Sequence, residues 1–482
     1  MAILSIDQGT TGTTVIIVDH TGEIQTKAYQ EFSQIYPQPG WVEHDPEEIW
    51  RSVTSCISEA LSHYSGSIEA VGITNQRETI VIWDTVTGQP IYNAIVWQCR
   101  RTAPLCNALE AQRELIKSKT GLPLDAYFSG TKAQWILENT THTPGQNLKF
   151  GTIDTWLIWK LTSGKTHATD ATNASRTMLY NIHEKSWDKT LCDLMHIPME
   201  LLPDVKNSAD DFGKITSIPE LQQVPIRGVA GDQQASLFGQ QCFQTGEIKN
   251  TYGTGCFLMM NTGQDAINSE RGLITTLAAD PEGKPCYALE GSIFIAGAAV
   301  QWLRDELGLL ESAADSEAAA LAVSDNGGVY FVPAFVGLGT PYWDMDARGT
   351  ISGLTRGSNK NHIIRASLEA MAYQTHDVIR TMELDTGLEV STLAVDGGAT
   401  QNEFLMQFQA DILNIEVRRA RKIETTALGV AYLAGLAIGK WKRTELLNFS
   451  QSSTSFTPEL DQTLSNEYLA GWHLAVKQSR TH

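Results

Sequence analysis

Ile3-Leu-Ser-Ile-Asp-Gln-Gly-Thr-Thr-Gly-Thr-Thr-Val-Ile-Ile-Val18 sets two short apolar runs, Ile3 to Ile6 and Val15 to Val18, on either side of a turn made of glycine and threonine. Runs this short and this apolar read as strands, and the glycines between them as their turn. A third strand is expected within residues 23–32. Asp45-Pro-Glu-Glu48 then announces a helix, with Asp as N-cap, Pro at the first helical position and acids in the first turn. Ile49, Trp50, Val53, Ile57 and Leu61 give it one apolar face. A further strand, Ala70-Val-Gly-Ile73, follows and runs into Thr74-Asn-Gln-Arg-Glu78.

The same order of elements restarts in the second half. Ile248-Lys-Asn-Thr-Tyr-Gly-Thr-Gly-Cys-Phe-Leu-Met-Met260 is again strand, Gly/Thr turn and strand; residues 275–277 and 287–289 supply further strands. A helix from about Ala298 places Val300, Leu303 and Leu310 on its apolar side. Three meandering strands, a helix and another strand open a ribonuclease-H-like domain. We therefore expect an α/β protein of two ribonuclease-H-like domains, residues 1–240 and 241–482, facing a central cleft. The repetition is one of element order and not of residues. Toward the C-terminus a long periodic helix over residues 361–382, a strand over 392–398 ending in glycines, and a helix over 402–413 are expected. Thr426-Ala-Leu-Gly-Val-Ala-Tyr-Leu-Ala-Gly435 opens a helix loaded with small residues, which admit a close neighbour, either a sheet or a ligand. Residues 142–146 and 312–326 read as surface connections.

The chain has 482 residues, 42% apolar and 19% charged, which describes an ordinary globular protein with more than one core. A formal net charge of −19 opposes phosphate backbones and anionic membranes, so no nucleic acid and no membrane surface is expected as partner. Seven cysteines are scattered without metal-ligand spacing, as expected in a reducing compartment. The N-terminus meets Asp7 without a basic region, and no apolar run is long enough to span a bilayer, so we expect no signal peptide, no membrane insertion and a cytoplasmic location.

Glycines that bare backbone N–H groups, with threonine hydroxyls beside them, suit phosphate oxygens. Residues 7–14 form such a turn, residues 252–256 repeat it, and Val395-Asp-Gly-Gly-Ala-Thr-Gln-Asn402 ends a strand in glycines that admit a flat ring. Asp7 ends the first strand, a natural place for a carboxylate that holds Mg²⁺ or its waters. Asp232, in Val229-Ala-Gly-Asp-Gln-Gln234, follows an apolar strand and a glycine where a helix can begin. It is placed to receive a proton in a cleft, and equally to cap the helix. Arg77 and Glu78 offer donors and an acceptor side by side, as a small polyol needs, or form an exposed ion pair.

Taken together these stretches resemble the FGGY carbohydrate kinase family of the actin-like ATPase superfamily. The resemblance runs nearly end to end, through Asp7-Gln-Gly-Thr-Thr11, Gly40-Trp-Val-Glu-His-Asp45, residues 72–78, Asn93-Ala-Ile-Val-Trp-Gln-Cys-Arg-Arg101, Tyr127-Phe-Ser-Gly-Thr-Lys132, Thr172-Asn-Ala-Ser-Arg-Thr-Met178, residues 230–234, residues 250–257 and Asp396-Gly-Gly398. It implies ATP-dependent phosphorylation of glycerol to sn-glycerol 3-phosphate, with Asp232 as general base, ATP and Mg²⁺ as cofactors, and a homo-oligomer, dimer or tetramer. It implies further that Arg77, Glu78, Tyr127, Asp232 and Gln233 bind the hydroxyls, with Trp97 and Phe257 against the carbon backbone. Thr10, Thr11 and Gly12 would meet the γ-phosphate, Thr254 and Gly297 the other phosphates, Gln301 the ribose side, Gly398 and Asn402 the adenine end, and Asp7 the metal. One departure stands out. Family members commonly continue the first turn as Ser-Ser-Arg, whereas this chain has Gly12-Thr13-Thr14 and so lacks a cation there.

Overall fold

The computed structural model describes residues 1–141, 147–450 and 453–481, so the connection expected at 142–146 lies outside the described residues. Ala2–Gln8 pairs antiparallel with Gly12–Val18 and parallel with Ile68–Asn75. With Ile24–Glu31 and Ile226–Gly231 at the edges, the strands run in the order Ile226–Gly231, Ile68–Asn75, Ala2–Gln8, Gly12–Val18, Ile24–Glu31. The register sets Asp7 beside Thr74, and Thr74 beside Ala230, so the carboxyl ends of the three parallel strands finish at one edge. Open α/β sheets bind ligands at that edge. The helix Pro46–Ser62 covers one face through Ile49, Val53, Cys56 and Ile57, and Asp45 caps it by accepting the Glu47 N–H.

A second sheet repeats the plan. Ile248–Tyr252 pairs antiparallel with Cys256–Gly263 and parallel with Thr392–Asp396, and Tyr287–Ile293 and Glu416–Arg419 continue it outward on the two sides. Here too the strand ends Tyr252 and Asp396 lead directly into glycines. Side chains join the two sheets, Arg77 to Glu290 and Lys249 to Gln233. The long helix Lys360–Thr386 forms the spine of the second core, with Ile364, Leu368, Met371, Val378 and Met382 all buried in it.

The small-residue helix, Thr425–Ala437, serves packing. It lies on the first sheet although it belongs to the second half of the chain: a Cβ at Gly72 or Gly228 would come within 2.4 or 2.5 Å of the Val430 carbonyl. It also crosses the helix Asp232–Gly239 at Gly429 and Gly239. A Cβ on either glycine would sit 1.9 Å from a backbone oxygen of the other helix, so the two backbones touch. Two expectations need correction. Leu310 is buried but follows the end of the helix Gly297–Asp305, and the supposed connection 312–326 contains a helix, Asp315–Leu321, that packs on Lys360–Thr386 through Ser316 and Ala320. Its single-turn apolar face is too short to show a period. Among the described residues no helix is long and apolar enough to cross a membrane, and all seven cysteines are unpaired.

Candidate active site

Arg77 and Glu78 are not an exposed pair. They are 2% and 1% exposed, at the end of Ile68–Asn75, where the chain turns sharply enough to place Glu78 at φ +60°. That backbone conformation costs a residue with a Cβ about 1–3 kcal/mol and persists where neighbours hold it. Lys132 Nζ and Ser129 Oγ do so, both donating to the Glu78 carbonyl at 3.2 and 3.1 Å. The two side chains then enter a network. Arg77 grips Glu290 with two nitrogens at 2.5 and 3.0 Å, and Arg176 spans Glu78 at 2.6 Å and Glu290 at 3.0 Å. Arg77 Nε lies 3.1 Å from Asp232 Oδ1.

Asp232 is the first residue of its helix, and Gly231 occupies the cap position in extended backbone. The capping alternative is thereby corrected: Asp232 takes the N–H of its neighbour Gln233 at 2.7 Å but stands inside the helix. Both contacts fall on Oδ1, and Oδ2 takes no hydrogen bond from the described residues. Gln233 accepts a short bond from Lys249 Nζ, which reaches across from the second sheet and also donates to Thr251 at 2.9 Å. Three cations, Arg77, Arg176 and Lys249, thus face three carboxylates, Glu78, Glu290 and Asp232.

Trp97, Tyr127 and Phe257 come together from three separate stretches. Trp97 meets Tyr127 edge-on at 5.5 Å and Phe257 at 6.5 Å, all three half-buried, which leaves an open aromatic wall rather than a sealed core. The Trp97 indole N–H donates to Thr10 Oγ1 at 2.8 Å, and so ties this wall to the first Gly/Thr turn. That turn is further held by Gln34, whose amide donates to the Thr10 carbonyl, and by Gln76, whose amide donates to the Gly9 carbonyl. A Cβ at Gly12 would lie 2.7 Å from the Tyr29 ring. Thr11 is exposed.

On the facing sheet the turn 253–255 abuts the start of Gly297–Asp305. Gly297 N–H donates to the Gly253 carbonyl at 3.1 Å, Ala298 N–H to the Thr254 carbonyl at 3.2 Å, and Thr254 and Gln301 are exposed. Gly397 has φ +92° and sits against the Tyr252 backbone, where a Cβ would be 2.2 Å from its carbonyl oxygen. Gly398, next to it, meets nothing within 4 Å. Asn402 caps the helix Glu403–Leu413 through Leu405 N–H at 2.9 Å, and its amide N–H donates to Ser316 at 3.2 Å, so its side chain is already committed.

Residues 2–239 match the FGGY family of carbohydrate kinases, N-terminal domain, and residues 248–438 match the C-terminal domain of the same family. The chain belongs to this family. A glycerol kinase of Petrotoga mobilis is 57% identical over 99% of this chain and 98% of its own length, and one of Desulfitobacterium hafniense is 56% identical over 99% of both. A crystal structure of Plasmodium falciparum glycerol kinase with ADP superposes with a TM-score of 0.93 at 38% identity, covering 99% of this chain and 98% of that one.

The electrostatics of this FGGY kinase concentrate at the same place. Burial opposes ionisation of Glu290, but Arg176 and Arg77 outweigh it and hold the carboxyl at about 2. Burial raises Asp232, against the pull of Arg77, the Gln233 N–H and Lys249. Burial brings Lys249 down to about 8. Asp7 is pushed up to about 8 by burial and by the Asp232 and Glu424 carboxylates, with Lys27 acting the other way. Lys27 stands opposite Ile16, on the same sheet face as Thr14, and is paired with Glu424.

Arg176, Glu290, Lys249 and Lys132 were not singled out by sequence. Each carried a signal: Arg176 and Lys132 lie inside the Thr172 to Met178 and Tyr127 to Lys132 motifs, while Lys249 and Glu290 are the lone charges of their strands. A charge in a buried strand demands a partner.

Proposed function

We propose that this chain phosphorylates glycerol with ATP, giving sn-glycerol 3-phosphate and ADP, with residues 1–240 carrying the acceptor pocket and residues 241–482 most of the nucleotide site. The observation that carries this reading is Asp232. Its Oδ1 is taken by Arg77 and the Gln233 N–H while Oδ2 has no partner among the described residues, beside a pocket of buried hydrogen-bonding groups. A buried hydroxyl without a partner costs on the order of 1–3 kcal/mol, so a triol selects a pocket that both donates and accepts. Arg77 and Gln233 donate, Glu78 and Asp232 accept, and Tyr127 does either. Trp97 and Phe257 lie along the carbons and exclude water.

The acceptor's terminal hydroxyl gives its proton to Asp232 Oδ2 as its oxygen bonds to the γ-phosphorus, and the bond from that phosphorus to the β–γ bridging oxygen breaks to release ADP. Burial raises the Asp232 carboxyl, against the pull of Arg77 and Lys249, and so favours its taking a proton as the hydroxyl attacks. Thr10, Thr11 and Gly12 meet the γ-phosphate, and Thr254 and Gly297 the phosphates on the opposite wall. Gln301 stands at the ribose side. Gly398, open on its Cα side, takes the flat base through backbone, and Asn402 keeps that turn in place.

The residues present fit Mg²⁺. Asp7 offers oxygen alone, at a strand end, where burial and then the Asp232 and Glu424 carboxylates push it up to about 8, a shift that a divalent cation would oppose. Among the described residues Asp7 belongs to no cluster of three metal-binding side chains, as suits an ion held largely by phosphates and water. When bound, the ion neutralises charge on the phosphoryl oxygens.

A coupled assay of ADP release with and without glycerol tests the reading. ADP release that requires glycerol and yields a phosphate monoester supports it; equal release without acceptor, or preference for a ketose over glycerol in a substrate panel, overturns it.

A further inference from the structure

His376 and Asp377 lie on the helix Lys360–Thr386, far from the cleft chemistry, and His473 lies on the C-terminal helix Gln462–Ser479. We propose that these three side chains form a site for a divalent transition-metal ion of the zinc type, with a fourth position open to a surface groove. Their ligand atoms all lie within 4.8 Å of one another.

The geometry at Asp377 divides its two oxygens. Oδ2 accepts from Tyr342 O–H at 2.6 Å and from the Trp472 indole N–H at 2.7 Å. Neither donor can bind a metal in that role, so they orient the carboxylate and leave Oδ1 as its working atom. Toward Oδ1 point His473 Nε2 at 3.0 Å and His376 Nδ1 at 3.4 Å. Zinc bonds of about 2.0–2.1 Å at tetrahedral angles separate neighbouring ligand atoms by roughly 3.3–3.4 Å, so both spacings are close to one edge of such a tetrahedron. Donors on the far oxygen are the usual support of a metal-bound carboxylate.

Accessibility also fits. Asp377 and His376 are 7% and 8% exposed, whereas the His473 side chain is 53% exposed and forms the mouth. The groove outside is lined by Pro341, Tyr342, Arg380, Val476, Lys477 and Arg480. Of its cations Arg380 is turned to Glu383 at 2.5 Å and Arg480 to Asp344 at 4.0 Å, which moderates their repulsion of a metal ion. Two nitrogens and one carboxylate oxygen suit zinc or cobalt better than magnesium or calcium, which take oxygen alone. A bound ion would tie the C-terminal helix to the spine of the second domain. It would do so one residue from Thr375, whose hydroxyl accepts from Asn250 on the strand that leads to the second turn.

The test uses the full-length chain without an affinity tag, stripped with chelator and titrated with Co²⁺ and with Zn²⁺. One equivalent of Co²⁺ giving the intense visible bands of four-coordination, without a thiolate charge-transfer band, together with a rise in Tm on adding Zn²⁺, is the expected result. His473→Gln, at a half-exposed position, should fold as the parent and weaken binding at least about 100-fold, and Tyr342→Phe, which removes only an orienting donor, should weaken it by about tenfold. A pale six-coordinate spectrum, thiolate bands from the cysteines, or undiminished affinity in His473→Gln would overturn the site.

Discussion

The two walls of the cleft are built on opposite principles. On the proposed acceptor wall Arg77, Glu78, Arg176 and Glu290 are each at most 2% exposed and hold one another in place, so these side chains are fixed before any ligand arrives. On the proposed nucleotide wall Thr254, Gln301 and Gly398 are exposed, and the turns meet each other through backbone, as in Gly297 N–H to the Gly253 carbonyl. A small triol offers few contacts, and each must be made exactly once. A nucleotide offers many, to backbone N–H groups that any sequence supplies. Loss of one group should therefore cost much on the first wall and little on the second.

The largest effect is expected from Arg77→Ala. It leaves Glu290 and Glu78 sharing Arg176 alone in a buried site, a loss of about 3–5 kcal/mol in stability. Thermal unfolding reads that loss, and in the folded fraction the KM for glycerol should rise far more than that for ATP. Equal weakening of both substrates would erase the contrast between the walls. Asp232→Asn should follow, lowering kcat by at least about 100-fold with ATP binding retained; near-normal turnover would remove Asp232 from the chemistry.

The pH profile of kcat/KM sharpens the same point. A base must be ionised, so activity should climb as pH rises through the Asp232 pKa, which burial sets above its ordinary value. It should decline above about 8, where Lys249 sheds its proton and its hold on Gln233 weakens. Lys249→Met should abolish that upper limb, and an unchanged limb would assign it elsewhere. Trp97→Phe keeps the ring but loses the bond to Thr10 and should cost about 0.5–1.5 kcal/mol in transition-state stabilisation, up to about tenfold in kcat/KM. Smallest of all, Gln301→Ala, at an exposed site on the backbone wall, should change kcat/KM for ATP by no more than about 0.5 kcal/mol. A loss there as large as at Arg77 would show that both walls work alike.

Much of the fold was legible because its signals are local. Asp45-Pro46 announced a helix that Asp45 does cap, and each Gly/Thr turn lay between apolar runs that are strands. Asp7, Arg77, Asp232 and Trp97 were legible through motif and resemblance. The helix Asp315–Leu321 was not, because a two-turn helix gives no period. Glu290 was not, because its partners Arg77 and Arg176 are more than a hundred residues away and a lone Glu in a strand names neither.

By itself the sequence determined the two repeated α/β units, the Gly/Thr turns at their strand ends, and the residue types a kinase of this family requires. Tertiary structure decided which of those residues are charged partners and which are walls. It removed Asp232 from the cap position, which Gly231 takes, and it buried Arg77 and Glu78 against carboxylates and guanidinia from distant parts of the chain. It also brought the helix Thr425–Ala437 back onto the first sheet, where glycine pairs let backbones touch. The reason is distance along the chain: helix starts and turns depend on a few neighbouring residues, whereas a buried charge needs a partner, and a glycine a neighbouring backbone, that only the fold supplies.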